Sequence, residues 1–334
     1  MKVFVAIPKN SDIIETFVTK EVQEYLSERF EVSYSPFERN LNKEEFSEMV
    51  KDCDAVITGW GNIAITYDML KDTKVKVIAH TGGTVANVAD ASLFDNGIHV
   101  ISGNKIYAES VAEGTIGYML TALRKIPFYI DLVRDGGWHG DGYFSEGLLD
   151  KTIGIVGMGT ISGYLIKMLQ MFRGNIKIFS SHEIDKAYLD DNNATQVSLE
   201  EIFSTCDIVS VHSAMNEKTR GMIGKEHFDL LKDGALFINT ARGAVVREDE
   251  MIEALKENRF FAFLDVYCTE PLPLDSELRS LKNIYAMPHM GGPTLDRRAV
   301  VTKRLADSII KIYNGEESEL EISKQAASRM TVGA

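Results

Sequence analysis

Short runs rich in Val, Ile and Phe recur along the chain, and between them apolar residues return every three or four positions. In the first hundred residues the runs are KVFVAI (2–7), FEVSYS (30–35), DAVITGW (54–60), KVKVIAH (74–80) and HVISG (99–103). A second series follows: TIGIVG (152–157), IKIFS (176–180), DIVSVHS (207–213), ALFINT (235–240), FFAFLDVY (260–267) and IYAMPH (284–289). Apolar runs of this length, separated by helical patterns, predict buried strands joined by right-handed crossovers, and therefore parallel sheets. The fold class is α/β, with two doubly wound parallel-sheet units in succession.

Ile161, Leu165, Leu169 and Phe172 share one helical face, in a helix predicted to end at Gly174. Val301, Leu305, Ile309 and Ile312 form a longer face that closes at Asn314 and Gly315; this helix is predicted to return to the first unit. Residues 109–138 read as mostly helical, interrupted at Pro127 and ending at Gly136 and Gly137. A helix crossing between the units, in place of a polar linker, predicts a cleft of the kind in which α/β proteins hold ligands.

Composition narrows the function. A chain of 334 residues, 45% hydrophobic, is long enough for two cores. Its net charge of −13 argues against a nucleic-acid or anionic-membrane surface, which needs clustered Lys and Arg, and leaves a small molecule as the expected partner. The apolar part of MKVFVAIPKN is too short for a signal-peptide core and no run approaches a membrane span, so a cytoplasmic protein is expected. Cys53, Cys206 and Cys268 are widely separated and lack C-x-x-C spacing, so neither a disulfide framework nor a metal site is expected. Trp60 and Trp138 read as buried packing residues.

IGIVGMGTISG (153–163) is a buried strand running into a glycine turn and then a helix. Gly157 permits the tight turn, and Gly159 lets the backbone approach a pyrophosphate. The third small position, usually glycine for close helix–strand packing, is Ser162. The helix beginning here offers unpaired N–H groups and a positive dipole end to phosphates.

Downstream, Arg242, Asp265, Glu270 and His289 follow successive strands, whose carboxyl ends share one edge of a parallel sheet. A guanidinium can bind a carboxylate bidentately and polarise a neighbouring carbonyl, and an imidazole beside a carboxylate can give or take a proton. With a nicotinamide as hydride source, this set points to reduction of a keto acid.

The chain resembles the D-isomer-specific 2-hydroxyacid dehydrogenases through ESVAEGTIGYML, LLDKTIGIVGMGTIS, CDIVSVHSAMNEKTRGMI, LFINTARGAVVREDEMIEAL, FLDVYCTEPLP and MPHMGG, in that family's order and spacing. The resemblance implies a Rossmann cofactor domain, 102–290, inserted into a flavodoxin-like substrate domain, 1–101 plus 291–334, and a homodimer paired through the cofactor domain. It implies Arg242, Glu270 and His289 as the catalytic set, with Gly82, Gly83 and Thr84 joining Arg242 and His289 around the substrate. NAD(H) or NADP(H) would lie along Gly157, Met158, Gly159, Thr160, Ile161, Ser180, Ser181, His212, Ser213, Ala214, Thr240, Ala241, Arg242, His289, Gly291 and Gly292, with Asp265 at the nicotinamide carboxamide. The partner would be a small 2-keto or D-2-hydroxy acid. Four positions depart from the family's pattern: Thr84 and Ala86 replace a usual glycine and acid, His80 stands where phosphoglycerate dehydrogenases often carry Arg, and Ala214 replaces a usual proline.

IKIFS ends at Ser180, where NAD-preferring members place an acid. Ser180, Ser181 and His182 present hydroxyls and an imidazole, Glu183 and Asp185 read as solvated loop acids, and no cation occurs before Lys186. This predicts a site that accepts NADPH at least comparably with NADH. Two other readings stand beside the dehydrogenase: a dinucleotide-sensing, co-repressor-like binding protein of the same fold, and a methyl-transfer domain, which would leave Arg242, Glu270 and His289 without a task.

Overall fold

A computed structural model describes residues 1–139 and 145–330. The chain divides into two compact units, Met1–Ser110 with Pro293–Ala334, and Val111–Gly292.

The first unit is built on five parallel strands: β1 (Lys2–Val5), β2 (Glu31–Tyr34), β3 (Ala55–Thr58), β4 (Val77–His80) and β5 (His99–Ser102). They lie in the order β2-β1-β3-β4-β5. Alternate residues point to opposite faces, so Val3, Val5, Ile57, Val77 and Ala79 meet one helical layer while Phe4, Val56, Ile78 and Val100 meet the other. Val301, Leu305 and Ile309, on the helix Leu295–Tyr313, are buried in the first of these layers. Each such side chain contributes about 2 kcal/mol, which holds this late segment on the sheet formed by the first hundred residues.

The second unit has seven parallel strands: β6 (Thr152–Val156), β7 (Asn175–Phe179), β8 (Ala194–Gln196), β9 (Ile208–Val211), β10 (Leu236–Asn239), β11 (Phe261–Leu264) and β12 (Ile284–Ala286). The order β12-β11-β10-β9-β6-β7-β8 puts β6, with the glycine turn, in the interior and sends every carboxyl end to one edge. Gly154 of β6 is required by packing, because a Cβ there would press on Ile202 and Cys206.

Several local expectations are corrected. β8 has no apolar run to announce it and exists by pairing with β7 at the sheet's rim. The helical stretch breaks at Arg124 and Lys125, between Asn104–Leu123 and Ile126–Arg134; Lys125 is left-handed (φ 50°), and Pro127 sits in the first turn of the second helix, where its missing N–H costs nothing. The helix Thr160–Leu169 passes into a 3-10 turn, and Arg173 (φ 54°), not Gly174, takes the left-handed stop. Both tryptophans are exposed, Trp60 edge-on to Phe17 and Tyr107, and Trp138 with 73% of its surface in solvent. Cys53 and Cys206 are buried and Cys268 is exposed. Among the described residues no helix is long and apolar enough to cross a membrane.

Candidate active site

In the first unit, β4 runs into Thr81, Gly82, Gly83 and Thr84. The Gly82 carbonyl accepts from the Gly103 N–H (3.1 Å) and that of Gly83 from Asn104 Nδ2 (3.0 Å), so both carbonyls are turned inward. Gly82 admits no side chain, because a Cβ would meet the His80 ring and lie 3.0 Å from Trp60 Nε1. His80 is buried against Thr58, with Nδ1 2.9 Å from its hydroxyl, and burial pushes its pKa down to about 4.

In the second unit, Gly157 has φ +100°, and a Cβ would lie 2.6 Å from Ser213 Oγ and 2.8 Å from its Cα and N. Only glycine fits this turn. Ser162 is fully buried, and its hydroxyl donates to the Gly157 carbonyl (2.7 Å), so the departure from a third glycine closes the turn without obstructing the helix. Gly159 caps that helix with no side chain, and a Cβ there would meet nothing within 4 Å. At the end of β7, Ser180 Oγ accepts from the His182 N–H (3.3 Å), and Asp185 is spent capping a helix, its carboxylate accepting from the Ala187 (2.7 Å) and Tyr188 (3.4 Å) N–H groups.

After β9, Ser213 Oγ donates to the Val156 carbonyl (3.1 Å), tying the 212–214 segment to the end of β6. His212 is buried with Nε2 2.8 Å from Ser210 Oγ, and burial pushes its pKa down to about 4. Its Nδ1, and the Thr240 hydroxyl after β10, are buried polar atoms with no protein partner. Two unpaired polar atoms at one sheet edge, beside a glycine turn whose open side leads a ten-residue helix, fit a dinucleotide.

Arg242 is aimed by neighbours that sequence reading missed. Asn239 accepts from the Ala241 N–H and donates to the Arg242 carbonyl (both 3.0 Å), turning the backbone as it leaves β10. Gly243 lies against the Tyr267 peptide so closely that no Cβ fits. The guanidinium donates to the Ala241 carbonyl (2.6 Å); burial lowers its pKa while the charge of Glu270 opposes the fall. It stays protonated, with further N–H groups for an acid.

His289 follows β12 in a left-handed conformation (φ 57°). Its Nδ1 is 2.6 Å from Glu270 Oε2, and Glu270 Oε1 accepts from the Tyr267 N–H (3.0 Å). The carboxylate thus holds one ring nitrogen and leaves Nε2 for chemistry. Tyr267 links the two loops, its hydroxyl 2.9 Å from the Met287 carbonyl. Asp265 is buried beneath them, and burial raises its carboxyl pKa although the Met290 and Gly291 N–H groups pull it down. Asn239, Gly243 and Tyr267 had no motif signal of their own beyond lying beside Arg242 and Asp265. Among the described residues no group of three or more His, Cys, Asp or Glu is placed to hold a metal.

Comparison with known proteins meets this geometry from another direction. The family described as D-isomer specific 2-hydroxyacid dehydrogenase, NAD binding domain, matches residues 116–291. A D-3-phosphoglycerate dehydrogenase of Methanocaldococcus jannaschii is 33% identical over 84% of this chain, which spans about half (53%) of that longer protein. A hydroxypyruvate reductase of Thermotoga maritima is 28% identical over 93% of this chain and 97% of its own length. The solved structure of a phosphoglycerate oxidoreductase from Rhizobium etli superposes with a TM-score of 0.81 at 25% identity, covering 96% of this chain and 98% of the other. The family match contains every strand end that carries Arg242, Glu270 and His289, together with the glycine turn of a Rossmann unit, and the chain belongs to the D-isomer-specific 2-hydroxyacid dehydrogenase family.

Proposed function

We propose that the protein reduces a small 2-keto acid to the D-2-hydroxy acid, reversibly, with NADPH accepted at least comparably with NADH. The observation that carries this reading is the His289–Glu270 pair, 2.6 Å apart, at the same sheet edge as Arg242 and the glycine turn. Arg242 binds the substrate carboxylate and polarises the adjacent carbonyl. His289, held through Nδ1, delivers a proton from Nε2 to the carbonyl oxygen as it gains charge, and takes it back in the oxidative direction. Glu270 fixes the ring's tautomer and orientation. Gly157 to Ile161, Ser180, Ser181, His212 to Ala214 and Thr240 to Arg242 would hold the dinucleotide, which supplies or accepts the hydride. Gly82, Gly83 and Thr84, in the first unit, are further proposed substrate contacts; the Gly82 carbonyl is turned to the Gly103 N–H, so the N–H of the same trans peptide, that of Gly83, faces the other way.

Cofactor breadth rests on the end of β7. No acid stands at Ser180, and the Asp185 carboxylate is occupied by two backbone N–H groups. A second copy of the chain is the proposed partner: the helix Ile126–Arg134 leaves Ile126, Phe128, Ile130 and Val133 exposed on the cofactor unit. The exposed, unpaired Cys268 suits a reducing compartment, and the cytoplasm is the proposed location.

The test is oxidation of NADPH and NADH with a panel of 2-keto acids, followed by absorbance. Turnover with at least one acid is expected. Tight dinucleotide binding without turnover of any acid would replace this reading by the sensing one, and an NADH preference above about a hundredfold, roughly 2.7 kcal/mol, would refute the cofactor breadth.

A further inference from the structure

Beyond the helix Leu295–Tyr313 the chain runs antiparallel beside β5. The Ser102 N–H donates to the Leu320 carbonyl (3.1 Å) and the Ile322 N–H to the Val100 carbonyl (2.8 Å), with Ile101 bridged to Glu321. His99 Nδ1 lies 2.7 Å from Glu321 Oε1, and Leu320 is buried. A short helix, Lys324–Ala327, then carries the chain to Met330, which packs with Ile322 and Ala327 on the core that contains Val85 and Val88. Val85 is fully buried, and its N–H donates to Met330 Sδ at 3.4 Å, with no other acceptor among the described residues. Val85 directly follows Gly82, Gly83 and Thr84. The upstream end of that loop is fastened through the Gly82 and Gly83 carbonyls, to the Gly103 N–H and Asn104 Nδ2, and the downstream end is fastened to this sulfur.

We infer that Met330 is a positioning residue for keto-acid binding, its thioether fixing the peptide that ends the 82–84 loop. That this loop meets the acid rests on the function proposed above, whereas the fastening itself does not. The Thr84 carbonyl and the Val85 N–H belong to one planar peptide, so the bond to sulfur also sets where that carbonyl points. A leucine at 330 keeps the volume and the apolar packing, an exchange that cores tolerate well. It removes the acceptor, however, and a buried N–H left without a partner turns toward another acceptor or toward water. The loop then loses its fixed downstream end while the sheet beneath it stays intact.

The test compares Met330→Leu with the wild-type protein in steady-state kinetics, dinucleotide binding and amide hydrogen exchange. The KM for the keto acid should rise about fivefold, the equivalent of about 1 kcal/mol and of one hydrogen bond, with kcat within about twofold. The Kd for NADH, from fluorescence titration, should stay within about twofold, since no dinucleotide contact is altered. Exchange in a peptide covering Val85 should quicken about fivefold, with exchange in β4 and β6 unchanged. Met330→Ala removes acceptor and packing together and should raise KM at least as far; it carries the test if Met330→Leu fails to fold. Wild-type KM in the folded variant, or unchanged exchange at Val85, would overturn the proposal. So would exchange that quickens equally in β4 and β5 while KM stays put, which would make Met330 a packing residue only. If the wild-type protein turned over no keto acid, exchange at Val85 would still decide whether Met330 fixes the loop, and only the reaction assigned to the site would fall.

Discussion

Lowering the pH from about 7 to about 5 should weaken both units, because each contains a histidine that folding keeps neutral. His80 in the first unit and His212 in the second are held at a pKa of about 4, against 6.5 for the free side chain, and burial is the cause in both. Between these values the unfolded chain takes up a proton that the folded chain refuses. The contribution is therefore fully present above pH 6.5 and is lost as pH falls toward 4. At about pH 5 the gap is roughly 1.5 pH units, and at about 1.36 kcal/mol per unit each histidine removes about 2 kcal/mol, a large share of a typical stability. With a urea slope of about 2 kcal/mol/M, the midpoint of the affected unit should move down by about 1 M. Carboxylates held low by their partners, such as Glu45 at about 2, lose their contribution below this window. Asp265, whose carboxyl is raised, works in the opposite sense in the second unit, so the first unit gives the cleaner signal. The assay is urea unfolding at both pH values for the wild-type protein and His80→Asn. The variant should show a flatter pH response in the first unit's transition whatever its starting stability. An imidazole NMR titration placing His80 above about 6, or a wild-type midpoint that does not move, would refute the argument.

Other expectations concern the site. His289→Ala should reduce turnover by about a hundredfold or more while leaving the NADH Kd nearly unchanged, since the imidazole acts on the substrate oxygen; near-normal turnover would remove it from the chemistry. Arg242→Lys should lower kcat/KM by about a hundredfold, because a point charge cannot reproduce a planar two-pronged contact, and an unchanged value would place the acid's anchor elsewhere. Gly157→Ala forces a side chain into φ +100° and against Ser213; a loss of about 1 to 3 kcal/mol in stability, read by thermal melting, should accompany loss of dinucleotide affinity.

Much of this molecule is written in short-range pattern. The short apolar runs and the helical repeats placed the long strands and the helices Thr160–Leu169 and Leu295–Tyr313, because burial is a local demand on residue type. The glycine turn was legible for the same reason: φ +100° at Gly157 can be met by almost no other residue. The residues of the catalytic set were legible as types standing after strands. The pairing of Glu270 with His289, 19 residues apart, was expected from residue type and strand order, whereas the contacts of Asn239, Gly243 and Tyr267 that aim this pair and Arg242 were not, because only the fold brings those groups together. The same holds for β8, which has no apolar run and depends on the neighbouring β7, and for the exposure of Trp60 and Trp138, which depends on what the fold places around each ring. Asp265 shows the division most clearly: sequence names a carboxylate at a strand end, while only the tertiary structure brings two N–H groups from 25 and 26 residues away to within 2.7 Å of it. A hydrogen bond is decided by tenths of an ångström, and residue type along a chain carries no such distance.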